Sequence, residues 1–398
     1  MASLREIRND EGKLISFFVR VYRGRDAKGK LMKPYSTTFT VEPTWTEKGA
    51  RRRAEAYAAT FEKECKEGLV ADSRRKFEEY CEYCINLKER MGVKHTTIVR
   101  YRQIASRIYP IIGHLQLKEI RPDMLNDLYL SLGQKGVAKN GGVLSNKTIL
   151  EHHRLIHTVL EQAVREGMIS FNPADRVERP KVEDKDAHFF RIDEIRAIKK
   201  AMREEDAPIK WRALVNLMMD TGCRRGEILG LKWDAVDFER SRIHICRNVQ
   251  YTPDRGIYLD TPKTTKSDRY IIVPSESMKL LKELRVWQVK DILAKGDFYH
   301  NEGFLFAQDD GKAMHPDSVN SWLDKLNARH PELPKINPHA FRHSMATTLL
   351  ANGMDIVGVS RRLGHAKPST TVNIYAHLVD ESDKNNSDAL ERLYAEER

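Results

Sequence analysis

The spacing of apolar residues changes period twice along this chain, which points to several packed bodies rather than one continuous layer. From Ser16 to Arg23, Phe17, Val19 and Val21 alternate with Phe18, Arg20 and Tyr22, the period-two pattern of a half-buried strand. A turn-rich stretch from Gly24 to Lys30 follows, and Tyr35 to Val41 alternates again. Thr44-Trp45-Thr46-Glu47 then has the form of a capping box, predicting a helix that ends near Gly68. From about residue 72 to 175 the period is helical. One helix is expected over Ser73 to Met91. A second opens at Thr96 or Thr97 with Ile98, Tyr101, Ile104, Ile108 and Ile112 on one side. A third begins at Pro122 with Met124, Leu125, Leu128 and Leu132. A fourth is capped by Ser145, carries Ile149, Ile156, Leu160 and Val164, and stops at Gly167. Four such helices make a compact bundle.

The stretch from Arg176 to Asp186 is charged, contains Pro180 and lacks periodicity, so it reads as a linker. Beyond it the pattern is mixed. Helices are expected near 192–204, 211–221, 276–294, 316–329, 339–352 and 369–378, with strands near 242–250, 256–260 and 269–273. The segments are therefore 1–68, 72–175, the linker 176–186, 187–379 and a tail, 380–398. The fold class expected is multidomain α+β: a three-stranded sheet plus helix, a helical bundle, and a mixed, mainly helical domain with a small β-sheet.

No run of about 18 apolar residues exists, so no membrane span is expected, and the charged N-terminus lacks an apolar signal core. The net charge of +11 suits a polyanionic partner. Residues 1–68 hold 15 Lys/Arg against 10 Asp/Glu, a net of +5, which suits a strand ribbon, with Arg20 and Tyr22 on its outward face, laid in a groove of DNA. The loop Gly133 to Leu144 offers Lys135 and Lys139 to phosphate. Cys81 and Cys84 form a C-x-x-C with no second Cys/His pair at ligand spacing. Both fall on the apolar stripe Phe77, Tyr80, Leu87, so packing is the reading and no metal site is expected. An odd count of five cysteines points to a reducing compartment.

Four short strings carry chemistry. Thr221-Gly222-Cys223-Arg224-Arg225-Gly226-Glu227 puts arginines on a turn between two apolar helices, a rigid setting suited to bidentate contact with phosphate oxygens. Pro262 to Arg269 places Lys263 on a basic hairpin. His339-Ala340-Phe341-Arg342-His343 puts an imidazole and a guanidinium three apart on one helix face, with His343 read as a packed or hydrogen-bonded core histidine. Leu363-Gly364-His365 leaves a histidine on a turn, and Tyr375 follows ten residues later. Taken singly, each has an ordinary explanation: surface arginines, an exposed turn, a packed tyrosine.

In order, they resemble the signature of the tyrosine recombinase (phage integrase) family, T-G-x-R-x-x-E, a hairpin lysine, H-x-x-R, L-G-H and a tyrosine, across residues 187–380. The layout is most similar to integrases of conjugative transposons from Gram-positive bacteria. The resemblance implies transesterification at a DNA phosphodiester. Tyr375 would be the nucleophile forming a 3′-phosphotyrosine. Arg224, Arg342 and His365 would stabilise charge on the non-bridging oxygens, and Lys263 would be the general acid. His339 would assist proton transfer or orient the phosphate, and Glu227 would position Arg224 or His339. It also implies arm-type DNA binding by 1–68, core-type binding by 72–175, and a tail that docks on a neighbouring subunit. A homo-tetramer on double-stranded DNA attachment sites, a Holliday junction, accessory bending and excision factors, and a bacterial cytoplasmic, nucleoid-associated setting follow, with no metal, cofactor or ATP. Two other functions compete: type IB topoisomerase-like strand relaxation, disfavoured by the extra N-terminal segments, and an inactive DNA-binding regulator, disfavoured by the full set of chemical residues.

Overall fold

The computed structural model describes residues 2–25, 29–66, 75–138, 141–182, 188–260, 268–365, 369, 371, 372, 391 and 394. The chain groups into two compact units, Met1–Glu183 and Asp184–Arg398. Among the described residues no helix is long and apolar enough to cross a membrane.

The first unit opens with an antiparallel sheet in the order β1 (Ser3–Arg8), β2 (Leu14–Val21), β3 (Tyr35–Thr40), followed by helix α1 (Glu47–Lys66). The strand alternation predicts its own packing: Phe17, Val19 and Val21 are buried with Ala54, Ala58 and Phe61 of α1, while Arg20 and Tyr22 are exposed. The helix start differs from the expected box. Thr46, not Thr44, caps α1, its hydroxyl accepting from the Gly49 N–H at 3.2 Å, and Glu47 accepts from Arg8 of β1 at 2.9 Å.

The helical part has the four expected helices: α2 (Phe77–Arg90), α3 (His95–Ile108), α4 (Pro122–Leu132) and α5 (Asn146–Arg165). Their stripes meet in one apolar core, in which Ile98, Ile108, Leu125, Leu128, Ile156 and Leu160 are fully buried. Cys81 and Cys84 lie in that core as free thiols. Ser145 caps α5 by accepting from Thr148 N–H at 3.3 Å. Val164 is only half-buried, and Ala163 takes the inward position. Lys135 is exposed on the loop after α4; Lys139 lies outside the described residues.

The second unit runs α6 (Ile192–Glu204), α7 (Ile209–Thr221), α8 (Arg225–Leu229), β4 (Val236–Asp237), β5 (Arg242–Ile245), β6 (Asn248–Thr252), β7 (Gly256–Asp260), β8 (Arg269–Ile272), α9 (Ser275–Lys295), α10 (Pro316–Arg329), α11 (Pro338–Ala351) and α12 (Ile356–Leu363). Helix α7 is buried almost all round and packs against α9 and α11, the centre of a core that includes Leu281, Leu284, Phe306 and Phe341. The expected single strand over 242–250 is two strands in two sheets, and the expected small sheet is therefore a pair: β4-β5-β8 and β6-β7. The cause is α8. A Cβ at Gly230 would meet Arg247 O at 2.8 Å, and one at Gly226 would meet Val249 O at 2.6 Å, so two glycines let α8 press onto the chain at the break. Arg247 is held away by Asp234, with two hydrogen bonds of 2.8 Å.

Candidate active site

Two helix ends and two helix starts converge here. Helix α7 ends at Gly222 (φ 61°) and α12 at Gly364 (φ 67°), both in the left-handed conformation that glycine adopts without steric cost. The His365 N–H donates to Ser360 O at 3.1 Å, the six-to-one bond that closes such a helix end. Arg342, on α11, points between these ends. It donates from Nη1 to Gly222 O and from Nη2 to Leu363 O, each at 2.8 Å. The negative ends of two helices thus hold one guanidinium that is only 4 % exposed.

Arg224 stands at the start of α8. Glu227, one turn on, accepts from the Arg224 backbone N–H at 3.0 Å and from its Nη1 at 2.8 Å, so the carboxylate fixes both the turn and the side chain. Arg224 remains exposed, and it opens with His339 and Arg342 onto a cleft of about 530 Å³. Asn248, Gln250 and Tyr251 of β6 and His315 and Asn320 form the cleft's other wall. His365 lies on the turn after α12, where Nδ1 shares a 2.8 Å hydrogen bond with the Thr371 hydroxyl. His339 and His343 meet edge to face at 4.7 Å between centroids. His343 is half-buried.

Of the residues singled out in the sequence, the structure brings Arg224, Arg342 and His339 to one cleft and seats Glu227 and His365 beside them. Lys263 and Tyr375 lie outside the described residues; of the helix expected over 369–378, Ser369, Thr371 and Val372 are helical. Glu227 was expected to serve Arg224 or His339. It holds Arg224, and its second partner is Arg269, whose Nη2 donates to Oε2 at 2.9 Å. Arg269 was not singled out. The signal available was its place as the first inward residue of β8, in phase with buried Ile271.

Positive charge dominates the electrostatics. Burial, then the charge of Arg224, pushes Arg342 down to about 10. Burial alone would raise Glu227, but Arg269 and Arg224 overcome it and hold the carboxyl below its ordinary value. Burial and the charges of Arg342 and Arg224 push His365 down to about 4. Burial, then His339 and Arg342, does the same to His343. Crowding by protein, then Arg342 and Arg224, lowers His339. These imidazoles are neutral at pH 7.

The phage integrase family pattern matches residues 188–382, and the phage integrase SAM-like domain matches residues 75–179. The chain belongs to the phage integrase family. It is a tyrosine recombinase, an enzyme of site-specific recombination. Among similar proteins, a tyrosine recombinase XerC-like protein of Caldanaerobacter subterraneus subsp. tengcongensis is 28% identical over 77% of this chain and 80% of its own length. The ICEBs1 integrase of Bacillus subtilis is 26% identical over 63% of this chain and 67% of its own. In fold the chain is similar to the Tn1549 transposon integrase, solved in complex with a circular intermediate DNA, with a TM-score of 0.64 over 78% of this chain and 99% of that one, at 22% identity. The expected multidomain α+β recombinase fold is what is found. Neither the topoisomerase reading nor that of an inactive regulator is favoured.

Proposed function

We propose that Arg224, Arg342 and His365 bind one scissile phosphate of double-stranded DNA and that Tyr375 attacks it. One observation carries this reading. Arg342 is buried with both Nη atoms on backbone carbonyls, Arg269 is buried near it and Arg224 stands beside them; among the described residues Glu227 is the carboxylate that bridges Arg224 and Arg269. Uncompensated buried cations are costly, and an anion entering the cleft relieves that cost. Guanidinium forks match phosphate oxygens, and their charge is worth most when the attacked phosphorus carries extra negative charge in the transition state.

In this mechanism the Tyr375 oxygen forms a bond to phosphorus and the P–O5′ bond breaks. Lys263 gives its proton to the leaving 5′ oxygen, and the phenol proton passes to a neutral base, for which His339 is suited. The Thr371 hydroxyl can donate to Nδ1 of His365. This selects the tautomer whose Nε2–H points a hydrogen bond at a non-bridging oxygen. The phosphotyrosine keeps the energy of the phosphodiester, so a second strand's 5′ hydroxyl rejoins without ATP. The donor set is guanidinium, ammonium and imidazole, so cleavage proceeds in EDTA. Tyr375→Phe, which loses only the hydroxyl, binds DNA and forms no covalent adduct on a nicked substrate. An adduct from that variant would overturn the nucleophile assignment.

The same reading extends to assembly. Residues 1–68, with Arg20 and Tyr22 outward, bind arm-type sites. Residues 72–175, with Lys135 and Lys139, bind core-type sites. The acidic tail, seven Asp/Glu against three Lys/Arg over 380–398, docks on a neighbouring subunit rather than on DNA, through the stripe Leu390, Leu393, Tyr394. The active form is a tetramer that joins two duplexes through a Holliday junction to move a mobile element, aided by bending and excision factors in the bacterial cytoplasm. Chains lacking 1–68 or ending at Val379 test this. The first keeps core-site cleavage and loses arm-site binding; the second binds one site and fails to assemble. Wild-type behaviour of either removes its part of the proposal.

A further inference from the structure

Arg269 reaches two of the segments that meet near the cleft without being among the residues that line it. It is the first residue of β8, paired in register with Ile245, and the strand's alternation turns it inward with Ile271 while Tyr270 and Ile272 face out. Its side chain is 6 % exposed. Nη2 donates to Glu227 Oε2 at 2.9 Å and lies 3.5 Å from the Cys223 thiol, both on the segment that carries Arg224. Nε donates to Arg362 O at 2.7 Å, in the last turn of α12. The turn beyond passes so close that a Cβ on Gly364 would stand 2.7 Å from Nη1. That turn carries His365.

One planar group therefore spans the two segments that present Arg224 and His365. Its link to Arg224 is short: guanidinium to Glu227, and Glu227 to both the backbone N–H and Nη1 of Arg224. Its link to His365 is the backbone at Arg362 and Gly364. It also sits in the sequence six positions after Lys263. Stability alone does not explain an arginine here, since a well-packed apolar side chain is often as good as a buried ion pair. What an apolar side chain lacks is the fixed fork that dictates distance and angle between its partners.

We infer that Arg269 is a positioning residue for strand cleavage: its guanidinium sets the separation between Arg224 and His365, and so the shape of the phosphate site. The inference rests on the reading of those two residues as phosphate ligands. Arg269 touches no DNA. Its loss therefore appears in the rate of the chemical step rather than in affinity, and misplacement of reacting groups by about 1 Å costs up to about 100-fold.

The test is single-turnover adduct formation by the full-length protein on a nicked core site at saturating DNA, with DNA affinity and melting temperature measured alongside. Arg269→Lys keeps the charge and loses the fork. The expected result is cleavage slowed about 10- to 100-fold, with DNA affinity within about threefold of wild type and an unchanged melting temperature. Should the lysine variant melt early, Arg269→Gln, which keeps a donor for Arg362 O, is read by the same criteria. Wild-type cleavage by a folded variant overturns the inference. So does an affinity that falls in step with the rate, since Arg269 would then be a DNA contact. Arg224→Ala run in parallel separates the two levels. If it cleaves normally, the phosphate-site reading fails; if it is inactive while Arg269→Lys cleaves like wild type, only the role of Arg269 fails.

Discussion

The helical bundle of α2 to α5 and the junction of α7, α11 and α12 both bury polar side chains, in opposite states of charge. In the bundle the buried groups are neutral. His152 bonds Thr148 O through Nδ1 at 2.8 Å, and His153 shares a 2.9 Å bond with the Tyr129 hydroxyl. Burial lowers both imidazoles and pushes the Cys81 thiol up to about 12 and that of Cys84 to about 11. Each shift makes the group more surely neutral at pH 7. At the junction the buried groups of the described residues include Arg342, Arg269 and Glu227, two cations to one anion. A neutral polar group fits a core whose purpose is packing. An unbalanced charge destabilises the free protein and makes sense where a ligand of opposite charge completes the set.

The largest break in that comparison comes from removing the imbalance. Arg342→Met keeps much of the volume and loses the charge. Cleavage on a nicked substrate falls by about 10² to 10³, the cost of one lost oxyanion donor, while relief of the repulsion from Arg224 offsets part of the stability lost with the bonds to Gly222 O and Leu363 O, so the melting temperature falls far less steeply than the rate. His153→Phe in the bundle is the opposite case: it strands the Tyr129 hydroxyl, lowers the melting temperature and leaves the cleavage rate of the folded protein unchanged. If Arg342→Met unfolds the protein while cleavage per folded molecule stays high, the contrast is wrong.

The contrast also explains what could be read in advance. The chemical strings are local: His339 and Arg342 share a helix face, and Gly222 and Gly364 announce the helix ends that hold Arg342. The cysteines sat on a helical stripe, so their burial was readable too. Arg269 was not, because its partners Glu227 and Arg362 are 42 and 93 positions away, and only the closed structure brings them together. The break between β5 and β6 was hidden for a different reason. Ile243, Ile245 and Val249 remain in phase across it, so alternation runs through a bend that the glycines of α8 impose. The cap of α1 is Thr46 rather than Thr44, and Glu47 meets Arg8, again a distant partner.

A second, smaller effect is set by pH. Burial pushes His365 and His343 down to about 4 in the free protein, with Arg342, Arg224 and Arg269 adding to it at His365 and His339 and Arg342 at His343. An imidazole with a depressed folded pKa takes up its proton more readily in the unfolded chain. As pH falls from about 6.5 to about 4 the unfolded state gains protons first and stability drops; above about 6.5 neither state is protonated and stability is level. The C-terminal unit should melt about 5 °C lower at pH 5 than at pH 7. Bound DNA reverses the sign for His365, since a phosphate favours imidazolium, so stabilisation by DNA should grow over the same interval. A melting temperature flat from pH 7 to 5, with and without DNA, would show that these histidines are not held in their neutral state by burial and the cation cluster.

The smallest effect belongs to the bundle and tests its side of the comparison. Cys81 is fully buried between Tyr80, Cys84 and the helices opposite, and burial raises its thiol far above neutrality, so it behaves as a small apolar group with no reactive thiolate. Replacing it by alanine removes one sulfur's worth of packing, about 1 kcal/mol, which lowers the melting temperature by about 3 °C. Because no charge is removed, cleavage and DNA affinity of Cys81→Ala match wild type, and thiol-modifying reagents act on the native protein only as fast as it opens. Cys84→Ala behaves alike, and the two together lose less than the sum, since each lies in the other's cavity. A loss of cleavage in a folded Cys81→Ala protein, or rapid modification of Cys81 in the native state, would place a chemical function in the bundle and end the division between a core kept neutral for packing and a junction kept charged for phosphate.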